Sequence, residues 1–397
     1  MPSTEPAKQP QNLPLITCIA LCGMAPLAGL SVSGIAPLMP QISAEFANTP
    51  NADVLVRLMM SGLSAATIIG ALGTGVMAAR VGTTRLLLLL LAAYAVTGAG
   101  IYFLDNLYVM VAARLLQGVA NGGAGVLALA LLTTRIPVER RDSWLGFFSV
   151  TGAAGFLVLI MAVGALAQFG WRYGFLIFLL AVPVALLIGF TLRGGDDEAP
   201  DDVPSQEQKP RGFRIPWGMV LFGVLCGGLS TTTSMYVPYY LADIGQGSPD
   251  TVAMVLMIGG GTSALTAFSF GWIRSRFSAI QTFVYAFALI AAGLLVVAAT
   301  GAMAVIVVGW AVYGLGLGLI MPNLFSACAG ATPPHVRAQM LGFVRSGVYG
   351  GPLLIQPVLE AALGRFGAFA ALAAIACLSV ISVVLTITLR KVFDPVE

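Results

Sequence analysis

Three arginines stand inside apolar runs of this chain: Arg57, Arg114 and Arg345. A guanidinium stays charged, and at the centre of a bilayer it costs at least about 2.5–3.5 kcal/mol. Each must therefore face protein or water. No carboxylate matches them at depth. Glu360 falls near the outer end of its apolar run, and Glu45, Asp53 and Asp105 fall at or beyond the outer surface. An unpaired guanidinium in a wet cleft binds carboxylate or phosphate through two parallel hydrogen bonds. This chemistry points to an organic anion, or an amphiphile with an acidic group, held between Arg114 and Arg345. The competing reading is structural: a buried guanidinium can satisfy backbone carbonyls between helices. Arg57 faces the same choice, with outer water or Asp53 four residues away as its partner. Asp53 and Glu360 are the acids to examine for ion coupling.

The spacing says which faces carry these groups. In Leu107–Thr134 the residues Arg114, Gln117, Gly118, Asn121 and Gly125 recur every three or four positions, one face of a helix. Arg345, Tyr349, Gln356 and Glu360 form a similar face, as do Arg57, Ser61, Ser64 and Thr67. Tyr236, Tyr240, Trp310, Tyr313 and Tyr349 are candidate apolar walls of a binding cleft, with Asn323 as a further polar contact. The 5 cysteines lie in apolar segments and read as small buried hydrophobes. The single histidine, His335, lies in a loop, so neither a metal cluster nor a histidine-based triad is expected. No nucleophile with a base and no paired acids lie within the apolar runs, so neither an intramembrane enzyme nor a cofactor is expected.

The elements that must position these residues are membrane helices. The chain is 58% hydrophobic and 9% charged, against about 25% charged in soluble domains. Apolar runs long enough to cross a bilayer begin near 14, 54, 86, 107, 144 and 173, then near 217, 251, 280, 302, 339 and 367. The expected fold is all-α, with twelve transmembrane helices in two pseudo-symmetric six-helix bundles. Its parts are a tail at 1–13, a bundle at 14–192, a linker at 193–215, a second bundle at 216–390 and a tail at 391–397. The linker is hydrophilic and Pro-rich, acidic and then basic. The first 13 residues lack the pattern of a cleaved signal, so the first helix is expected to be retained. Fifteen of the 20 Lys and Arg fall on the linker, the tails and the loops of the same side, and only Arg172 and Arg365 on the other. By the positive-inside rule both termini are cytoplasmic, and the chain is expected to be multi-pass in a cell inner membrane.

The halves also match locally. Gly75, Arg80 and Gly82 follow the second helix; Gly271, Arg276 and Ser278 follow the eighth, 196 residues on. This is a parallel repeat, as in transporters whose halves are related by an axis along the membrane normal. At these residues the chain resembles the major facilitator superfamily, over essentially its whole length and closest to its drug:proton antiporter-like branch. Gly75, Arg80 and Gly82 match the family's G-x-x-x-D-R-x-G-[RK]-[RK] loop, with Arg85 as a displaced basic partner. Ala79 replaces the motif's acid, which in the family helps to latch the cytoplasmic gate. Arg114, Gln117 and Gly118 match the fourth-helix R-x-x-x-G pattern, linked to coupling in proton-driven exporters. Leu159 and Ile160 interrupt the exporters' fifth-helix motif. The resemblance implies a gate built from Gly75, Arg80, Gly82, Arg85, Gly271 and Arg276, a monomer in contact with lipid, and a site at mid-membrane between the halves.

The resulting expectation is a secondary active transporter of a small organic solute, an organic anion or acidic amphiphile, working by alternating access and coupled to protons. The alternatives are a proton-coupled multidrug efflux pump and a membrane receptor that keeps the fold without turnover. No nucleic-acid partner is expected.

Overall fold

In the computed structural model the described residues are 13–35, 38–192, 217–246, 249–299, 301–333 and 336–390. The tails, the linker and His335 lie outside them, as do the side chains of Asp53, Arg57, Ser61 and Glu360 within helices.

Among the described residues the chain is helical throughout. The first half comprises α1 (Leu15–Cys22), α2 (Met24–Ser33), α3 (Met39–Glu45), α4 (Ala52–Val81), α5 (Thr83–Gly100), α6 (Leu107–Arg135), α7 (Val138–Ala167), α8 (Trp171–Gly174) and α9 (Ala181–Thr191), the last two joined by a 3-10 turn over Phe175–Leu180. The second half comprises α10 (Trp217–Asp243), α11 (Pro249–Phe268), α12 (Phe270–Arg274), α13 (Ala279–Ala298), α14 (Met303–Ala331) and α15 (Arg337–Thr388). α1–α2, α8–α9 and α11–α12 each make one span. α15 makes two, because the chain turns at Gly367 with φ 80°, a backbone state open to glycine. Asp243 then accepts the amide of Ala368 and caps the last helix. The result is twelve spans, six in each half, an integral membrane fold.

Two expectations shift at the ends. The fifth apolar run is expected to begin near 144, yet its helix, α7, starts at Val138. Pro137 sits at its N-cap, where no amide is missed, and Glu139 lies in the first turn, favoured by the helix dipole. The polar stretch after the first span likewise contains the short helix α3.

The repeat runs far beyond the loops. A Cβ built on Gly118 or Gly122 would strike the carbonyls of Leu63 and Thr67; one on Gly314 or Gly318 would strike those of Gly259 and Ser263. Gly146 meets the carbonyl of Ala267, and Gly342 that of Ala71. Every one of these residues has its counterpart 196 positions away in the other half. Glycine is required at these crossings because the helix backbones touch.

The last pair of contacts joins the two halves. α4 packs on α15, and α7 on α11, α12 and α14. The cross-half contacts concentrate toward the face where the linker attaches, called here the linker face. There a Cβ on Gly75 would sit 2.8 Å from the Cα of Gln339, and one on Gly271 3.0 Å from the Cα of Ser143. Arg337 donates to the carbonyl of Thr133 at 2.8 Å. Among the described residues the cross-half hydrogen bonds lie toward this side. The seam is therefore closed at the linker face.

Candidate functional site

Arg114 lies in the core of the first half and is fully buried. Its Nε donates to the carbonyl of Met59 on α4, one terminal nitrogen to Oε1 of Gln117 at 2.6 Å, and the other to the carbonyl of Ser31 on α2 at 2.6 Å. Tyr94 of α5 closes this cluster: its hydroxyl donates to the carbonyl of Leu27 and accepts from Ser31. The guanidinium thus ties α2, α4 and α6 together, as a buried cation must when it meets no anion.

Arg345 is placed differently. It belongs to the second half, on α15, but its guanidinium rests on Gly125 of α6, where a Cβ would lie 2.2 Å from a terminal nitrogen. It is 5% exposed. A terminal nitrogen donates to the hydroxyl of Tyr349 at 3.1 Å, and its Nε has no partner. None of the ion pairs among the described residues includes it. Asn121 lies one turn of α6 from Gly125, fully buried, with neither of its side-chain polar atoms partnered. Gln117 keeps Nε2 unpartnered as well.

The structure does not bring Arg114 and Arg345 together. Eleven residues of α6 separate Arg114 from Gly125, an axial rise of about 16 Å. One small carboxylate cannot bridge that gap, so the clamp expected between them is not formed in this arrangement. Helical spacing placed both on inward faces but left their depths open.

Several aromatic candidates also point away from the seam. Tyr240 donates to the carbonyl of Val297 on α13, and Asn323 to that of Ala279 on the same helix. Trp310 and Tyr313 stack at 4.4 Å and are buried, with the Tyr313 hydroxyl on the carbonyl of Leu229 in α10. They are the counterparts of Arg114 and Gln117, 196 residues on. In the second half they tie α14 to α10 much as Arg114 ties α6 to α2. Tyr236 is buried and reaches the carbonyl of Gln356 at 3.5 Å; Gln356 and Tyr349 are half-buried. Asp53, Arg57 and Glu360 lie outside the described side chains.

Of the gate residues, Gly75 and Gly271 sit at the closest approaches of the halves, and Gly82 adopts φ 90° between α4 and α5. Arg80, Arg85 and Arg276 are exposed, with Arg276 over the ring of Trp272 at 4.0 Å. The carboxylate missing at Ala79 is found elsewhere on this face. Asp142 of α7 lies 3.8 Å from Nε of Arg274 and accepts from the hydroxyl of Ser326, so one acid of the first half holds two elements of the second. Its neighbour Ser143 is the residue that Gly271 meets across the seam, a contact that the sequence alone does not give.

At the opposite face Glu45, Asp105 and Trp171 surround Arg172. Arg172 pairs with Glu45 at 2.8 Å and with Asp105 at 2.9 Å. The indole N–H of Trp171 and then Arg172 hold the Glu45 carboxyl below its usual range.

A cavity of about 160 Å³ lies on the seam. Ser149 and Ala153 of α7 line it from the first half; Ser230 of α10, Ser263 and Ala264 of α11 and Met321 of α14 line it from the second. Ser149 and Arg345 are counterparts, each eight residues beyond an arginine of the repeat (Arg141 and Arg337), or about 12 Å along its helix.

The family model for the Major Facilitator Superfamily matches residues 21–344 and 219–396. Among curated proteins, the chain is similar to the vacuolar membrane amino acid uptake transporter fnx2 of Schizosaccharomyces pombe, 34% identical over 109 residues. That match covers 26% of this chain and 19% of the relative's length. Among solved structures, the proton:xylose symporter XylE superposes with a TM-score of 0.75 at 14% identity, over 94% of this chain and 95% of that one. The human organic anion transporter MFSD10 gives 0.71 at 18%, over 94% and 97%. FucP in its outward conformation gives 0.75 at 14%, over 94% and 98%. At these identities the structural matches speak to the fold alone.

Proposed function

Because the chain belongs to the major facilitator superfamily, and so is a membrane transporter and not an enzyme, we propose that it moves a small organic anion by alternating access, with Arg345 as the anion's anchor. The observation that carries this reading is the state of Arg345: a buried guanidinium on the seam, resting on the other half, with Nε free and, among the described residues, a tyrosine hydroxyl as its hydrogen-bond partner. Leaving a charge so little compensated is costly. A carboxylate would offset that cost and accept two hydrogen bonds in one plane. Tyr349 and Asn121 stand ready to bond the same ligand. Its contact with Gly125 lets Arg345 report an anion to both halves, which alternating access requires.

Arg114 has a supporting part, holding the first half rigid. The linker face is assigned to the cytoplasm, since it carries most of the Lys and Arg. The closed seam is then an outward-facing state, and Asp142 with Arg274 helps to keep it shut. A proton gradient is the proposed drive. Among the similar proteins, the organic anion transporter and the amino acid uptake transporter support an anionic or acidic substrate, and the xylose and fucose symporters support proton coupling only.

The test is ligand-induced thermal stabilisation of purified protein, with organic anions set against lipophilic cations, in wild type, Arg345→Ala and Arg345→Lys. A ligand bound by the native state alone raises stability by mass action. Stabilisation by anions that is lost in Arg345→Ala is the expected result. Anion stabilisation that survives the substitution removes Arg345 from the site. Stabilisation by cations alone would favour a multidrug efflux pump.

A further inference from the structure

The linker face gathers two arginines that the latch of Asp142 and Arg274 leaves aside. Arg141 of α7 and Arg337 of α15 are counterparts, 196 residues apart. A repeat related by an axis along the membrane normal sets such a pair on either side of that axis. Here the two guanidiniums lie near enough for their charges to repel.

Their charges are poorly matched. Arg337 is 7% exposed and gives its terminal nitrogens to the carbonyls of Thr133 and Thr332, at 2.8 and 3.1 Å. Those partners carry no net charge, and the Nε of Arg337 is buried without a partner. Arg141 is half-buried, and its Nε is likewise buried and unpartnered. None of the ion pairs among the described residues includes either arginine. Two carboxylates lie near Arg141 on α7. Asp142 is engaged by Arg274 and Ser326, and Glu139 is exposed to water. The backbone adds to the positive excess. Both helices begin here without a side-chain cap, α7 after Pro137 and α15 after Val336. Their first amides, and the positive ends of two helix dipoles, therefore face the same side as the guanidiniums.

We propose that the linker face carries a regulatory anion site, for a phosphoryl group, between Arg141 and Arg337. Helix N-termini and guanidiniums both suit a phosphoryl group, whose several oxygens can accept from two arginines and from backbone amides together. Bound there it bonds both halves at once, so it favours the closed seam over the open one. Occupancy shifts the population toward the closed linker face and slows turnover. A soluble phosphate and an anionic lipid headgroup offer the same group. The inference does not depend on the Arg345 anchor, which lies eight residues further along α15, a rise of about 12 Å.

The experiment is thermal unfolding of the full chain in dodecyl maltoside, a detergent without phosphate, paired with spin-label distances between the linker-face ends of α4 and α15. One arm adds inorganic phosphate, against sodium chloride of equal ionic strength. The other adds phosphatidylglycerol to the micelles, against phosphatidylcholine, in phosphate-free buffer. In at least one arm wild type should show a saturable rise in melting temperature and a shift to the shorter distance. A response to inorganic phosphate identifies a soluble ligand; a response to phosphatidylglycerol alone identifies a headgroup. Arg141→Gln should weaken the binding about tenfold or more, and Arg345→Ala should leave it in place. Should Arg141→Gln fail to fold, Arg141→Lys decides instead, since it keeps the charge but loses the two-pronged hydrogen bond and should still bind more weakly. The proposal is overturned if wild type responds in neither arm beyond its control, if the Arg141 variant responds like wild type, or if Arg345→Ala abolishes the response.

Discussion

Replacing Arg114 and Arg345 by alanine, one at a time, should have opposite effects on stability and transport. Arg114→Ala removes three hydrogen bonds from a charged donor, to Ser31, Met59 and Gln117. At about 1.5–3 kcal/mol each the gross loss is about 4.5–9 kcal/mol. Relief of the buried charge returns about 2.5–3.5 kcal/mol. The net cost is then about 1–6.5 kcal/mol, before any cavity left by the side chain is counted. Arg345→Ala removes one bond of this kind, to Tyr349, and returns the same relief, so stability should stay level or rise slightly. The assay pairs thermal unfolding in detergent with uptake of a radiolabelled anion into proteoliposomes, normalised to folded protein. Arg114→Ala should lose stability and abundance while its folded fraction keeps anion dependence. Arg345→Ala should stay folded and lose anion uptake. If Arg345→Ala unfolds as readily as Arg114→Ala, its charge is held by partners inside the fold, and the reasoning that makes it an anchor is refuted.

Other outcomes follow from the seam. Gly146→Leu and Gly342→Leu place side chains against the backbone of Ala267 and Ala71; each should prevent linker-face closure and raise labelling of an engineered seam cysteine from that side. Asp142→Asn should loosen the latch on Arg274 by about 0.2–1 kcal/mol, up to roughly a fivefold shift toward the open linker face, read by spin-label distances between α7 and α12. The Glu45 carboxyl is held below its usual range, so its contribution is present above the ordinary carboxyl pKa of about 4.3 and fades as pH falls through its lower folded value. Acid should therefore release Trp171, seen as a fluorescence change, at a lower pH than an unpaired glutamate would titrate, and Glu45→Gln should lack that transition.

Most of the architecture was legible in the residues. Apolar runs long enough to cross a bilayer announce helices because every backbone group must be satisfied internally, and the observed helices agree with the runs to within a few residues except where Pro137 starts α7 early. The repeat was read from Gly75 and Gly271, but it extends through Gly146 and Gly342 to Arg345 and Ser149. That longer match holds the key to the seam. Its meaning needed the contacts, since a 196-residue spacing says which positions correspond and not which side chain fills the space.

The amino-acid sequence by itself determined that this is a twelve-span membrane protein in two related halves, with buried arginines that the acids of its helix interiors do not match. Tertiary structure alone decided which arginine is spent. Arg114 is neutralised by backbone carbonyls 55 and 83 residues away in the chain, on helices whose side chains give no hint of it. Arg345 crosses to the other half and lies on Gly125, with little to bond. Any carbonyl can satisfy a guanidinium, whatever residue carries it. The fate of a buried charge is therefore set by where helix backbones pass in space, which the order of residue types does not encode locally.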